Sequence, residues 1–289
     1  MARLGYVGLG IMGGPMARHL ATAKHSMTVY NRTTAKADAW VEQHGGARAL
    51  TPREVAQASD VVLMCVGNDD DVRSVVFGAD GILAGLKTGG ILVDHTTASA
   101  TIAREIADAC AKQGCGFVDA PVSGGQAGAE NGQLTIMCGS NDPATFDAIE
   151  PIIAAYAKRS KLLGTAGSGQ LAKMVNQICI AGIAQGLSEA LNFAMRAGLN
   201  PDDVVDVISK GAAQSWQMEN RAKTMVRDEF EFGFAVEWMR KDLGICFDEA
   251  SRNGAQLPMT EMVDKFYEEV VAMGGKRWDT SSLIARLTD

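Results

Sequence analysis

Short apolar runs recur through the first half of the chain: Met27 to Tyr30, then Asp60 to Val66, Gly90 to Asp94 and Gly116 to Ala120, the last three bounded by Gly or Asp. They are continuous rather than alternating, as expected for strands of a parallel sheet covered by helices on both faces. Helical patterns separate them, Thr101 to Lys112 among them. Gln133 to Cys138 and Ser160 to Leu163 extend the strand series, with a helix across Pro143 to Ala157, and the sheet is expected to end near residue 164. From Gly167 onward strand signals stop. Leu171 to Gly198 reads as one helix of roughly 40 Å, closed by Gly198 and followed by Asn200-Pro201 as a fresh start. Further helices are predicted around 201–210, 216–228, 234–253, 258–273 and 279–287. The fold class is therefore α/β: a doubly wound sheet over residues 1–164, then an all-helical domain over 165–289, joined by the long helix.

The first run, Gly5 to Val7, leads straight into Gly8-x-Gly10-x-x-Gly13 and a helical pattern from Pro15. This is the arrangement of a dinucleotide-binding (Rossmann) turn. Gly8 permits the tight turn, Gly10 lets backbone approach a pyrophosphate, and Gly13 lets helix pack on strand, with Ile11 and Met12 in the stretch that faces the anion. Three glycines among 32 say little alone, but their place after the first strand, with a second strand at βαβ spacing, says more.

Where many NAD sites carry an acid at the end of the second strand, this chain has Asn31-Arg32-Thr33. A carboxylate would repel a ribose 2′-phosphate, whereas Asn31 is neutral, Arg32 offers a guanidinium fork and Thr33 a hydroxyl. NADP is the expected cofactor, with NAD the second choice. Asn31 could also serve as a helix cap, which is compatible with phosphate binding.

Composition removes several classes. With 289 residues, two domains are the natural division, and a net charge of -7 without a polybasic run speaks against nucleic acid as partner. No charged leader with an apolar segment opens the chain and no continuous apolar run approaches ~20 residues, so a cytoplasmic protein without membrane insertion is expected. Six scattered cysteines without a CxxC pair suit a reducing compartment and no metal site.

Hydride chemistry on an alcohol needs a proton acceptor. His19, His25, His44 and His95 all lie in the first half; of these only His95 adjoins a strand end. Tyr156 has Ser160 four residues on, so a Tyr-x-x-x-Lys pair is absent. In Gly167-Ser168-Gly169-Gln170-Leu171-Ala172-Lys173-Met174-Val175-Asn176-Gln177, however, Lys173, Asn176 and Gln177 fall at i, i+3 and i+4 and share a helix face. Partial burial among apolar neighbours would lower the lysine pKa and let the amine exchange a proton with substrate. A lysine extending its ammonium to water is the plainer alternative.

Gly8 to Ala17 (GLGIMGGPMA), Asp119 to Gly125 (DAPVSGG), Gly167-x-Gly169-x-x-x-Lys173-x-x-Asn176 and Lys241-Asp242-Leu243 together resemble the β-hydroxyacid dehydrogenases. This family includes 3-hydroxyisobutyrate dehydrogenase, tartronate semialdehyde reductase, glyoxylate/succinic semialdehyde reductase and, more distantly, 6-phosphogluconate dehydrogenase. The likeness runs nearly end to end. It implies Lys173 as the catalytic residue, Ser123, Gly124 and Gly125 as the loop for the substrate carboxylate, and Asn176 as a substrate contact. The Asn176-Gln177 order resembles the tartronate semialdehyde reductases.

Thr96 and Thr97 match the nicotinamide-side pair, Lys241 a lysine near the cofactor, and Trp216 an aromatic pocket wall. Val66 and Asn68 join the expected cofactor contacts, and Asp248, seven residues after Lys241, is expected to approach Lys173 or the substrate. The resemblance thus implies NADP-linked interconversion of a small carboxylate-bearing 3-hydroxy acid and its semialdehyde by a homodimer or homotetramer. Two alternatives remain: an imine reductase, a group that usually replaces the lysine, and a non-catalytic nucleotide-binding interaction protein.

Overall fold

In a computed structural model, residues 1–288 are described, and they form two compact units that divide inside one long helix, after Lys173. The first unit contains β1 (Arg3–Val7), α1 (Gly13–Thr22), β2 (Ser26–Tyr30), α2 (Thr34–His44), β3 (Ala47–Arg48), α3 (Pro52–Gln57), β4 (Val61–Met64), α4 (Asp69–Phe77) and α5 (Ile82–Gly85). It continues with β5 (Ile91–Asp94), α6 (Ala100–Lys112), β6 (Gly116–Asp119), β7 (Val122–Ser123), α7 (Gly125–Glu130), β8 (Leu134–Cys138), α8 (Pro143–Ile153) and β9 (Ala157–Leu162).

Six strands pair in parallel in the order β3-β2-β1-β4-β5-β6. Side chains alternate across this sheet into two cores. Leu4, Tyr6, Val61, Leu63, Val93 and Val118 enter one layer, while Val7, Val62, Met64, Leu92 and Phe117 enter the other. Burial on both faces explains why the runs are apolar throughout. The strand order reverses between β1 and β4, and ligands of such sheets bind beyond the carboxyl ends of the strands at that point.

The remaining strands do not extend this sheet. β7, β8 and β9 form a sheet of their own, with β7 antiparallel to β8, linked to the first by an antiparallel bridge between Asp119 and Gly139. Pro121 follows Ala120 and brings no N–H to continue the first ladder; its carbonyl instead accepts from the Met137 N–H at 3.1 Å. The outer strand β9, with Lys158, Arg159 and Lys161, carries the charges that keep a sheet edge from pairing elsewhere.

The long helix α9 spans Ser168–Arg196 and starts three residues before its apolar pattern does. It closes at Gly198, φ +74°, with the Gly198 N–H bonded to the Met195 carbonyl and the Leu199 N–H to that of Ala194. One 18-residue window of α9 has a mean hydropathy of 1.3, high enough for a membrane span by length and composition, though Asn176, Gln177 and Gln185 interrupt the helix. The second unit follows with α10 (Pro201–Ile208), α11 (Trp216–Val226), α12 (Val236–Asn253), α13 (Pro258–Ala272), 3-10 turns at Gly275–Arg277 and Thr280–Ile284, and α14 (Ala285–Thr288). Two apolar clusters hold it, one around Ala181, Leu243 and Tyr267, the other around Leu187, Met218 and Phe230. The helix expected over 279–287 is broken because the Asp279 carboxylate takes both the N–H and the hydroxyl of Ser281, an alternative to helical bonding.

Candidate active site

The turn after β1 is built by missing side chains. Gly8 has φ +95°, and a Cβ there would strike the Cys65 carbonyl; a Cβ at Gly13 would strike the carbonyl of Gly8 itself. Gly10 differs. A Cβ at Gly10 would meet nothing within 4 Å, and no side chain caps the start of α1. Open space beside an uncapped helix N-terminus fits the pyrophosphate of a dinucleotide.

Among the expected nucleotide contacts, Asn31 is bonded to this turn. Asn31 accepts from the Leu9 N–H through Oδ1 at 2.9 Å and donates through Nδ2 to the Thr33 carbonyl at 3.0 Å, so it stitches the ends of β1 and β2 together. Arg32 lies 84% exposed with its guanidinium 2.9 Å from Asp71. Thr33 precedes α2 without bonding it through its side chain, and Asn68 caps α4 by accepting the Asp71 N–H. Val66 donates its N–H to the Thr96 hydroxyl at 3.0 Å. Thr96 is buried, whereas Thr97 reaches partway to the surface. Ile11 is exposed, with Met12 half-buried.

At the ends of β5 and β6 lie two adjacent carboxylates, Asp94 and Asp119, neither selected from the sequence. Each of these runs carries its one Asp at or next to its end, which was the available signal. Asp94 accepts from the Thr96 N–H at 2.8 Å through Oδ1, while its buried Oδ2 has no partner among the described residues. Burial pushes its carboxyl up to about 7. Asp119 accepts the N–H groups of Gly167 at 2.7 Å and Gln170 at 2.9 Å, thereby capping α9 from another part of the chain. Burial outweighs those bonds and raises its carboxyl to about 6.

Next to Asp94, His95 has both nitrogens engaged. Nδ1 lies 2.7 Å from the Ala120 carbonyl and must donate to it, so Nε2, 2.8 Å from the Tyr156 hydroxyl, accepts. Burial lowers the imidazole to about 4. This neutral ring is a structural tie between strand end and β9 approach, with no nitrogen left for a substrate proton.

Lys173 is buried, 7% exposed, in the second turn of α9. Ser123 is half-buried and Gly124 and Gly125 exposed at the start of α7, with φ values of +129° and +62° that only glycine adopts without strain. In the second unit, Asn176 Nδ2 donates to Gln177 Oε1 at 2.8 Å, and Gln177 Nε2 to Asp242 at 2.6 Å. Lys241 Nζ lies 3.1 Å from the other oxygen of Asp242. Asp242 is thus the buried acid of this group, while Asp248, which heptad spacing selects, is exposed on α12. Trp216 is half-exposed under the Arg221 guanidinium, 4.8 Å from its ring centre. Among the described residues no group of three or more His, Cys, Asp or Glu could hold a metal ion.

Comparison with known proteins agrees with this architecture. Residues 3–167 match the NAD-binding domain of 6-phosphogluconate dehydrogenase, and residues 167–287 the NAD-binding region of NADP-dependent 3-hydroxyisobutyrate dehydrogenase. A curated relative, the 2-hydroxy-3-oxopropionate reductase of Escherichia coli, is 34% identical over 99% of this chain and 97% of its own. The chain belongs to the β-hydroxyacid dehydrogenase family. An uncharacterized oxidoreductase of Shewanella frigidimarina is 62% identical over 99% of this chain and 98% of its own. The 3-hydroxyisobutyrate dehydrogenase of Mycobacterium tuberculosis, solved with L-serine, superposes with a TM-score of 0.90 at 28% identity, covering all of both chains. This β-hydroxyacid dehydrogenase is therefore an oxidoreductase that uses NAD(P).

Proposed function

We propose that the enzyme reversibly interconverts a small 3-hydroxy acid and its semialdehyde, prefers NADP, and uses Lys173 as the general acid and base. The observation that carries this reading is the burial of Lys173 on an apolar helix that begins under the Asp119 cap. Sequestering a lysine from water is costly unless its amine has work or a partner there. Support for the substrate class comes from the relatives, one of which is named for 2-hydroxy-3-oxopropionate.

When bound, the nicotinamide supplies or accepts a hydride. In the reductive direction Lys173 Nζ gives a proton to the carbonyl oxygen as it becomes a hydroxyl; in oxidation the neutral amine takes it back. Asn176 and Gln177 orient that oxygen, and the Asp242 carboxylate fixes the amide of Gln177. Ser123, with the backbone N–H groups of Gly124 and Gly125, grips the substrate carboxylate. Arg32 and Thr33 take the 2′-phosphate, which must draw Arg32 away from Asp71. Lys241, Thr97 and the Val66–Asn68 stretch complete the cofactor contacts, and Trp216 with Asp248 borders the substrate. We assign the enzyme to the cytoplasm, where its six free cysteines stay reduced, and to a homodimer or homotetramer. The apolar side chains Val175, Ile183 and Phe193, exposed along one side of α9, support such an assembly.

The test is absorbance at 340 nm with NADPH or NADH against glyoxylate, succinic semialdehyde, 2-hydroxy-3-oxopropionate and methylmalonate semialdehyde, beside Lys173→Ala. NADPH-linked turnover lost in the variant, with nucleotide binding kept, is the expected result. Tight NADPH binding without turnover of any of these would overturn it and direct attention to imine substrates or a non-catalytic role.

A further inference from the structure

The first turn of α9 is held at two points. Its backbone is anchored by Asp119, whose carboxylate accepts the Gly167 and Gln170 N–H groups, and Gly139 and Gly169 keep room for that carboxylate. A Cβ at Gly139 would come within 2.5 Å of Asp119 Oδ1, and one at Gly169 within 2.8 Å of Oδ2. The second hold is a side chain. Gln170, 1% exposed, donates from Nε2 to the Thr96 carbonyl at 2.7 Å and accepts the Ala98 N–H on Oε1 at 3.1 Å. One amide thus closes on both sides of Thr97, between the end of β5 and the start of α6.

The loop so gripped is itself fixed. The Thr96 N–H is bonded to Asp94 and its hydroxyl to the Val66 N–H. Gln170 also precedes Lys173 by three residues, so both project from one side of the helix, and the helix cannot slide or rotate there without breaking the two amide bonds. An apolar side chain of similar size would fill the volume equally well but leave the Thr96 carbonyl and Ala98 N–H without partners. Packing alone therefore gives no reason for an amide.

We propose that Gln170 is a positioning residue that sets the placement of Lys173 against the 96–98 loop, a role that rests on reading Lys173 as the proton donor. A misplacement of under an ångström at a proton-transferring group costs rate without costing nucleotide affinity. Gln170 acts through Lys173, without touching substrate or cofactor.

Steady-state kinetics of the full chain, with NADPH and with glyoxylate or succinic semialdehyde as probe, test it through Gln170→Leu, Gln170→Glu, Lys173→Ala and the Gln170→Leu/Lys173→Ala pair. Gln170→Leu is expected to lower kcat about 10- to 100-fold at saturation, with the NADPH Kd within about threefold of wild type. Once Lys173 is gone, Gln170→Leu should cost nothing more, because both changes act on one group. Gln170→Glu keeps the fold within reach if the leucine variant does not fold, and it adds a pH signature. A protonated Glu donates to Thr96 and accepts from Ala98 as the amide does, while an ionised one repels the Thr96 carbonyl, so its kcat relative to wild type should rise as pH falls.

Equal losses from Gln170→Leu with and without Lys173, a kcat within twofold of wild type, or a Gln170→Glu ratio flat with pH would each overturn the positioning role. Should Lys173→Ala retain wild-type turnover, the reading of Lys173 itself fails and takes the positioning role with it. An inactive Lys173→Ala beside a fully active Gln170→Leu removes only the latter.

Discussion

Two helices begin within the first unit beside the carboxyl ends of strands, and their N-termini are treated in opposite ways. α1 starts at a glycine turn with no side-chain cap and open space at Gly10, whereas α9 starts with the Asp119 carboxylate already seated on two of its N–H groups. Both termini carry the same partial positive charge. The one left open has room beside Gly10; the one closed by the protein's own carboxylate is fixed in place and leads to Lys173. A helix start is thus a binding site or an anchor according to whether the chain supplies the anion itself.

The greatest loss is expected at the tight part of the open turn. Gly13→Ala places a methyl group against the Gly8 carbonyl, where backbone must shift, and should cost about 3 kcal/mol in urea denaturation. A midpoint equal to wild type would mean the turn is looser than its geometry. Next, Asp119→Ala strips the cap from α9 and should cost about 2 kcal/mol, with NADPH affinity within about threefold of wild type. Loss of affinity as large as at the open turn would erase the distinction between anchor and site.

A third effect is pH-dependent and concerns the neighbouring carboxylate. The folded-state pKa of Asp94 is raised to about 7, so the folded protein holds a proton there that the unfolded chain releases near pH 4. That contribution is complete below pH 4 and is lost as pH rises to about 7. Asp94→Asn imitates the protonated acid at every pH. Its stability relative to wild type should therefore improve between pH 4 and 7 and stay level above, as read from thermal unfolding midpoints. Taking the difference cancels His95, whose lowered pKa acts in the opposite sense, costing stability as pH falls below its ordinary value.

How far the sequence spoke follows the same division. The open turn was legible because its chemistry is local: Gly8, Gly10 and Gly13 sit within six residues; a Cβ at Gly8 or Gly13 would strike backbone, and Gly10 faces open space. The parallel strands were legible from their unbroken apolar runs. What closes the other terminus was not, because Asp119 caps a helix 48 residues away, beyond any capping signal near Ser168. For the same reason the helix begins earlier than its apolar pattern. Gln170 lies in the same motif as Lys173, yet its two bonds to residues 72 and 74 positions earlier are tertiary facts. In the second unit, spacing selected the exposed Asp248, and nothing in the sequence marked Asp242 as the buried acid that Gln177 bonds. Periodicity finds a face of a helix, and it cannot tell which carboxylate on that helix another helix will meet.

The most direct measurement is a fluorescence titration of NADPH against wild type and Gly10→Ala, with urea unfolding of both in parallel. The added methyl group enters space empty of protein, so the unfolding midpoints should coincide while NADPH affinity falls about tenfold or more. Affinity within twofold of wild type, with the fold intact, would contradict the account: the open terminus of α1 would then not be where the nucleotide phosphates lie.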